Sequence, residues 1–373
     1  MNTDMSLNFP YVRNVNFPER YISPEKLSEY LESNYSDYIE LIGRSSLGRP
    51  IYLLSLGKGP LKVAAWSQMH GNESTATLAM LDLLAIFENH PDIKEKLFDL
   101  IQLDFIFMLN PDGSEVWTRR NAYDIDINRD FLRTSSTEMK ILKKQILENN
   151  YDYLLNLHDQ RTIFTTDGVH PATLSFLSPS ENKDRDITEN RKKSMAVIAS
   201  VFLQMKQTLP NRIAKYTDEF YPTSCGDNFM KAGIPTILFE GGFYENDLER
   251  SKTREFYTEA IYYSLKAMSV LQGGTLGYET YFDIPQNRES HFDIIYRNVK
   301  LNTEFDCVLD IAVQYREIMD NDNRLTYVPY VIEVGDLNHK KGWQEIDCTD
   351  KKFVSLKKFP KLDAVVDFTI ENK

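Results

Sequence analysis

Cysteine and histidine are scarce in this chain of 373 residues, with three of the first and six of the second. Cys225, Cys307 and Cys348 are odd in number, far apart and in no metal-finger spacing. That argues against a disulfide framework or a zinc finger and suits a reducing cytoplasm. Positive charge is short as well. Lys and Arg number 43 against 55 Asp and Glu, and the net charge of −12 argues against nucleic acid or an anionic membrane as partner. No window of about 19 residues is apolar enough to span a bilayer. Residues 1–10 show no charged stretch followed by an apolar core, so no secretory leader is visible. An exported form with its leader removed fits the same sequence. The oligomeric state is not encoded in any motif, and no repeat or low-complexity tract interrupts the chain.

What is present is enough apolar residue, 42 %, for one large α/β domain and a small one. Ser23 before Pro24 reads as the cap of a helix over 24–34, followed by a hairpin of strands 39–43 and 50–56. Strand 61–68, helix 75–88 and strand 101–109 form a βαβ unit, and helix 136–148 leads into strand 153–158. A helix over 186–208 carries Met195, Ile198, Val201, Phe202 and Met205 at core spacing, and strand 235–240 precedes helix 249–271. The near-continuous apolar strands predict a mixed, mostly parallel sheet with helices on both faces. Beyond Gly273-Gly274 the helical periodicity gives way to alternating runs such as 307–313 and 327–333. The expected organisation is a large α/β domain over 1–272 and a small β-rich domain over 277–373.

Of the six histidines, His90 stands before a proline as a helix stop, His170 lies in a loop, and His291 and His339 lie in charged stretches. His70 and His158 differ. His70-Gly71-Asn72-Glu73 follows an apolar strand and precedes a helix, so an imidazole and a carboxylate three residues apart can close on one metal ion. His158 ends another apolar run. Two His and one Glu leave zinc a fourth position for water, the ligand set of a hydrolytic site. Between them, Asn110-Pro111-Asp112-Gly113 reads as a turn, and 119–131 packs three arginines and two asparagines into a non-periodic stretch. Such a loop is either simply solvated or built for carboxylate recognition and oxyanion stabilisation. Strand 235–240 ends in Glu240-Gly241-Gly242, and Glu240 reads equally as a base at a strand end or as a cap for the next helix.

Taken in order, these motifs resemble the zinc carboxypeptidase family. The set comprises His-x-x-Glu, Asn-Pro-Asp-Gly, an Arg nine residues before an Asn-Arg pair, a strand-end His, a Tyr and a Glu. The stretch Ile42-Gly43-Arg44-Ser45-Ser46-Leu47-Gly48-Arg49-Pro50-Ile51 resembles the family's early hairpin, and the match runs from about 35 to 270. The resemblance implies one Zn2+ per chain held by His70, Glu73 and His158, with Glu240 as general base. It implies that Arg119 polarises the scissile carbonyl, with Arg120 the neighbour if the register shifts by one. Asn128 and Arg129 would grip the substrate's terminal carboxylate, and Tyr221, 19 residues before Glu240, would fold over bound substrate, with Tyr216 the weaker candidate. The implied activity is hydrolysis of the C-terminal peptide bond.

This chain departs from the family pattern in several places. Asn72 replaces a common arginine, Asp124 a common glycine, and Asp159-Gln160 the usual small polar residues. Gly241-Gly242 also differs from the usual ending. His-Gly-Asn-Glu is shared with related deacylases, so a zinc amidase acting on N-acyl amino acids or γ-linked cell-wall peptides is the alternative. A non-catalytic peptide-binding relative is the third reading. Either enzyme takes a substrate with a free carboxylate. Asn228 falls where the family lines its side-chain pocket, a polar uncharged group that argues against an aromatic-selective and a basic-selective pocket alike, while the adjoining Asp227 points back towards basic residues, which leaves selectivity open.

Overall fold

The computed structural model describes residues 9–301 and 307–372; residues 1–8, where a leader would begin, lie outside it. Ser23 accepts the Lys26 amide at 3.1 Å and Pro24 presets the first turn, which starts α1 (Pro24–Tyr35). The hairpin β1 (Ile39–Arg44) and β2 (Pro50–Leu56) follows, then β3 (Leu61–Trp66) and α2 (Thr75–Asn89). Helix α2 is buried from Thr75 to Phe87, as an apolar all-round sequence demands. His90 ends it, and Pro91 at once starts α3 (Pro91–Phe98), an element the sequence pattern leaves out. Strand β4 (Ile101–Ile106) stops three residues short of the expected end. The expected turn at Asn110–Gly113 is instead the start of a short helix, α4 (Pro111–Glu115), because Asn110 accepts the Gly113 amide at 2.9 Å.

The remaining elements of this unit are α5 (Thr137–Glu148), β5 (Tyr153–Asp159), β7 (Leu174–Leu177), α6 (Glu189–Met205), β8 (Ile213–Lys215), α7 (Cys225–Lys231), β9 (Thr236–Gly241) and α8 (Ser251–Leu271). Strand β6 (Phe164–Thr165), which precedes β7 in the chain, belongs elsewhere. The eight strands run in the order β1-β2-β4-β3-β5-β9-β7-β8. Pairs β4–β3, β3–β5, β5–β9 and β7–β8 are parallel; the others are antiparallel. Along β3, β5 and β9 alternate residues serve two cores. Val63, Ala65, Leu155, Leu157, Ile237 and Phe239 pack with α2, α6 and α8 on one side, while Ala64, Trp66 and Leu154 pack with α5 and α7 on the other. The sheet is therefore mixed, with helices on both faces.

The chain separates into two compact units, Met1–Gln160 with Ala172–Asn287, and Arg161–Pro171 with Arg288–Lys373. Two segments change sides relative to the sequence expectation. The 3-10 turn Tyr278–Asp283 belongs to the first unit, where Lys215 Nζ donates to the carbonyls of Tyr281, Phe282 and Ile284 at 3.1, 2.9 and 2.6 Å. Residues 161–171 belong to the second, because β6 pairs with β10 (Arg288–Glu289). The rest of that unit is β-rich, as expected: β11 (His291–Lys300), β12 (Val308–Met319), β13 (Leu325–Gly335), β14 (Lys341–Asp347) and β16 (Ala364–Val365) form a sheet ordered β14-β11-β12-β13-β16. Strand β15 (Lys351–Ser355) pairs with β17 (Phe368–Asn372), and Phe353 and Phe368 join Ile311, Val313 and Val331 in its core. Among the described residues no helix is long and apolar enough to cross a membrane.

One buried ion pair ties the N-terminal segment to α2 and α8. Asp82 accepts from Arg254 Nε at 2.6 Å, from the Tyr11 hydroxyl at 2.7 Å and from the Asn14 amide at 2.8 Å. Both charges are almost fully shielded from solvent. Removing one leaves the other buried and unpaired, the costly way to break such a pair. Asp82→Ala is expected to lower the unfolding free energy by about 3–5 kcal/mol, read from urea denaturation midpoints.

Candidate active site

The register of three parallel strands sets the site. Trp66 pairs with Asn156, Asn156 with Leu238, and His158 with Glu240, so His158 and Glu240 emerge side by side at the strand ends. After β3 the chain makes the turn that carries His70 and Glu73, where the Glu73 amide donates to the His70 carbonyl at 3.1 Å. Gly71 is required there: a Cβ would lie 2.1 Å from the Gly113 carbonyl carbon and 2.2 Å from the Ser114 nitrogen. The Asn-Pro-Asp-Gly helix thus serves as the surface against which the His-x-x-Glu turn rests. Asp112 in turn accepts from Ser45 Oγ, the Leu47 amide and Arg49 Nη1 at 2.8–2.9 Å, which docks the early hairpin loop.

His70 Nδ1, the two Glu73 oxygens and His158 Nδ1 converge. His70 Nδ1 lies 2.8 Å from Glu73 Oε1, His158 Nδ1 lies 2.8 Å from Glu73 Oε2, and the two Nδ1 atoms are 3.1 Å apart. All three side chains are buried, and the trio is the one His/Cys/Asp/Glu group among the described residues able to hold a metal. Ligands of tetrahedral zinc sit about 3.3 Å from one another, so this triangle fits such an ion with little adjustment. Burial lowers the pKa of His70, but Glu73 and the hydrogen bond that His70 donates to Asp126 reverse the sign and raise it. Burial keeps that of His158 low. For Glu73 burial acts upward, yet His70 and His158 together hold it well below the ordinary carboxylate range.

Arg119 reaches this triangle, with Nη1 3.1 Å from His70 Nδ1 and 3.3 Å from Glu73 Oε1. Arg120 does not; its Nη1 donates to the Asp124 carbonyl at 2.8 Å, away from the histidines. Asn128 Oδ1 accepts the Cys225 amide at 3.1 Å, leaving its Nδ2 as a donor. The Arg129 guanidinium lies over the ring of Tyr221, 4.6 Å from its centroid, and Tyr221 is half exposed. Tyr216 instead donates its hydroxyl to Gln160 Oε1 at 2.7 Å. Glu240 Oε2 is shielded from solvent and has no hydrogen-bond partner among the described residues. Burial, then the nearby Glu73 and Asp159, push the Glu240 pKa well above its ordinary value. The cap reading of Glu240 receives no hydrogen bond; Asp247 accepts the Ser251 and Lys252 amides at 2.8 and 2.7 Å instead.

Two residues escaped the sequence reading. Asp126 Oδ1 lies 3.2 Å from His70 Nε2 and accepts the Asn128 amide at 3.0 Å, while Oδ2 accepts Arg119 Nε at 3.1 Å. One carboxylate therefore orients a candidate ligand, the arginine and the Asn-Arg pair. A metal-binding histidine normally donates its other nitrogen to a carboxylate, so an acid next to the Asn-Arg pair is the signal that was available. Arg250 had no such signal. It adopts a left-handed backbone (φ 55°), and its guanidinium donates to the Gly241 and Gln160 carbonyls at 2.6 and 2.7 Å. It clamps the ends of the two strands that carry Glu240 and His158.

A family model for zinc carboxypeptidases matches residues 25–218, a little over half of the chain, and the protein belongs to that family. Three solved structures share the fold. A metallo-carboxypeptidase from Burkholderia cenocepacia gives a TM-score of 0.52 at 17 % identity over 68 % of this chain and 70 % of that one. Bovine thrombin-activatable fibrinolysis inhibitor, in complex with tick carboxypeptidase inhibitor, gives 0.54 at 18 % over 68 % and 97 %. Carboxypeptidase A from Helicoverpa armigera gives 0.51 at 18 % over 67 % and 74 %. No curated protein sequence matches this chain.

The metal site makes a direct prediction. Purified wild type should carry about one zinc per chain by elemental analysis, and His158→Ala should carry almost none after reconstitution. Asp126→Asn should still bind zinc, with affinity about 10- to 100-fold weaker in a chelator competition. Equal affinity would rule out the orienting role of Asp126.

Proposed function

We propose that this protein is a zinc-dependent carboxypeptidase that hydrolyses the C-terminal peptide bond of peptides with a free terminal carboxylate. The observation that carries the reading is the convergence of His70, Glu73 and His158 beside an unpartnered, buried Glu240 oxygen. Zinc, when bound by that trio, supplies a Lewis acid that polarises the scissile carbonyl and activates water. Glu240 Oε2 takes the proton from the attacking water and returns it to the leaving amine, a task suited to a carboxylate whose pKa is raised. Arg119 donates to the carbonyl oxygen as charge builds there. Asn128 Nδ2 and the Arg129 guanidinium hold the terminal carboxylate, a bidentate contact that fixes the bond in line with Glu240. Tyr221, already against Arg129 and half exposed, covers the bound end.

The first compact unit is the catalytic domain in this reading, and the β-rich second unit is an accessory. The acidic net charge and the three unpaired cysteines favour a peptide substrate in a reducing compartment over nucleic acid or a membrane. The family's deacylase relatives keep one alternative in view, an amidase acting on N-acyl amino acids, and the substrate assay separates the two.

Glu240→Gln should lower kcat by at least about a hundredfold while zinc content stays at the wild-type level. Arg129→Ala should raise KM for peptides with a free C-terminus and leave amidated peptides, already poor substrates, unchanged. Turnover of N-acyl amino acids with no cleavage of any peptide would overturn the carboxypeptidase reading.

A further inference from the structure

The two residues expected to set side-chain selectivity are both occupied by local structure. Asn228 Nδ2 donates to the carbonyls of Pro222 and Ser224 at 2.9 and 2.7 Å, which holds the turn bearing Tyr221. Asp227 folds back on the same turn, where it accepts the Tyr221 amide at 3.4 Å and a hydrogen bond from Ser224. Both side chains are drawn into holding this turn.

Asn156 is different. It lies on β5 two residues before His158, so its side chain leaves the same face of the sheet as the candidate ligand. It is 1 % exposed, and its Oδ1 has no hydrogen-bond partner among the described residues. Its in-register neighbour on β3, Trp66, is fully buried with an indole Nε1 that is likewise unpartnered. A donor and an acceptor thus stand unused on adjacent strands, each at the cost of an unmade buried hydrogen bond. Opposite them, the first turn of α7 presents Gly226. A Cβ there would stand 3.7 Å from Asn156 Nδ2 and 3.3 Å from Pro179 Cγ, so any side chain in place of the glycine would press against the amide and the proline. Leu238, the neighbour on β9, is half-buried, where this face begins to open.

Resting on the carboxypeptidase reading, we propose that Asn156, with the Trp66 indole beside it, receives the C-terminal side chain of the substrate and selects a neutral group that both donates and accepts, a carboxamide or hydroxyl. Asn156 and Trp66 are both neutral, so a cation or anion received between them would be buried without a counter-charge from either. An aliphatic side chain would leave both polar atoms unpaired, the situation in which a polar site discriminates strongly.

The test compares side chains of matched shape, asparagine with leucine and glutamine with methionine. Each is presented as the C-terminal residue of one peptide for cleavage and as its N-acetyl derivative for calorimetric binding to the full, zinc-loaded chain. Wild type should favour the amide member of each pair by at least about tenfold in both assays. Asn156→Leu should invert the order. Asn156→Asp, unchanged in size, should lose the amide preference and gain lysine, which covers the case in which the leucine variant fails to fold. An order unchanged in both variants, or a wild-type preference for leucine and methionine, overturns the proposal, and peptide cleavage would then still stand. The predicted binding order with no peptide cleaved supports Asn156 as the selector and removes the carboxypeptidase reading.

Discussion

Three carboxylates, Glu73, Asp159 and Glu240, crowd the ends of two strands in a region closed to solvent, and the surroundings are arranged to hold them there. Like charges so close raise one another's pKa values, and burial acts in the same direction on Asp159 and Glu240. Glu73 escapes because two imidazoles flank it. Arg119 approaches from the polar loop and Arg250 from the start of α8, and both pull Glu240 down again. The site is therefore an electrostatic compromise: Glu73 is kept charged between two imidazoles, while the Glu240 carboxyl is pushed well above its ordinary range.

Asp159 and Gln160, which depart from the family pattern, are accommodated by the two glycines that also depart from it. Asp159 pairs across the sheet with Gly241, and a Cβ on Gly241 would lie 2.6 Å from Asp159 Oδ1. A Cβ on Gly242 would lie 2.0 Å from the Ala172 carbonyl and 2.5 Å from Gln160 Nε2. Larger residues after His158 need smaller ones after Glu240, because the strands are adjacent and in register. Asp159 is anchored in that space by Thr75, whose hydroxyl donates at 2.7 Å, and so links the start of α2 to the strand ends that carry His158 and Glu240. Gln160 bridges the Ala172 carbonyl, Ser175 and Tyr216. Tyr216 is thereby committed to the interior, while Tyr221 remains at the surface against Arg129.

Much of this was legible in the chain. Strands β3, β5 and β9 are short apolar runs with sharp ends, and His70, Glu73, His158 and Glu240 sit at or just past those ends, where ligands gather in open sheets. Short strands such as β7 and β8 carry too few residues to show a period and were not legible. Nor was the helix at Pro111–Glu115, because Asn-Pro-Asp-Gly is equally a turn signal and the side-chain cap of Asn110 decides between them. Asp126 could have been inferred from the needs of His70; Arg250 could not, since its bonds are to backbone carbonyls 9 and 90 residues away.

Local physics in the chain was sufficient to specify the strand and helix periods, the candidate ligand types and their order, because these depend on near neighbours and on side-chain chemistry. The meeting of Glu73 with His158, 85 residues apart, was decided by strand register, as was the pairing of His158 with Glu240. The same holds for which polar groups remain unused. Asn228 and Asn156 are the same residue type, yet the Asn228 amide nitrogen is satisfied by its own turn, while Asn156 Oδ1 on the sheet is buried with no partner among the described residues. Hydrogen-bonding capacity belongs to a residue type, but whether it is already used depends on what the fold brings within about 3 Å of it.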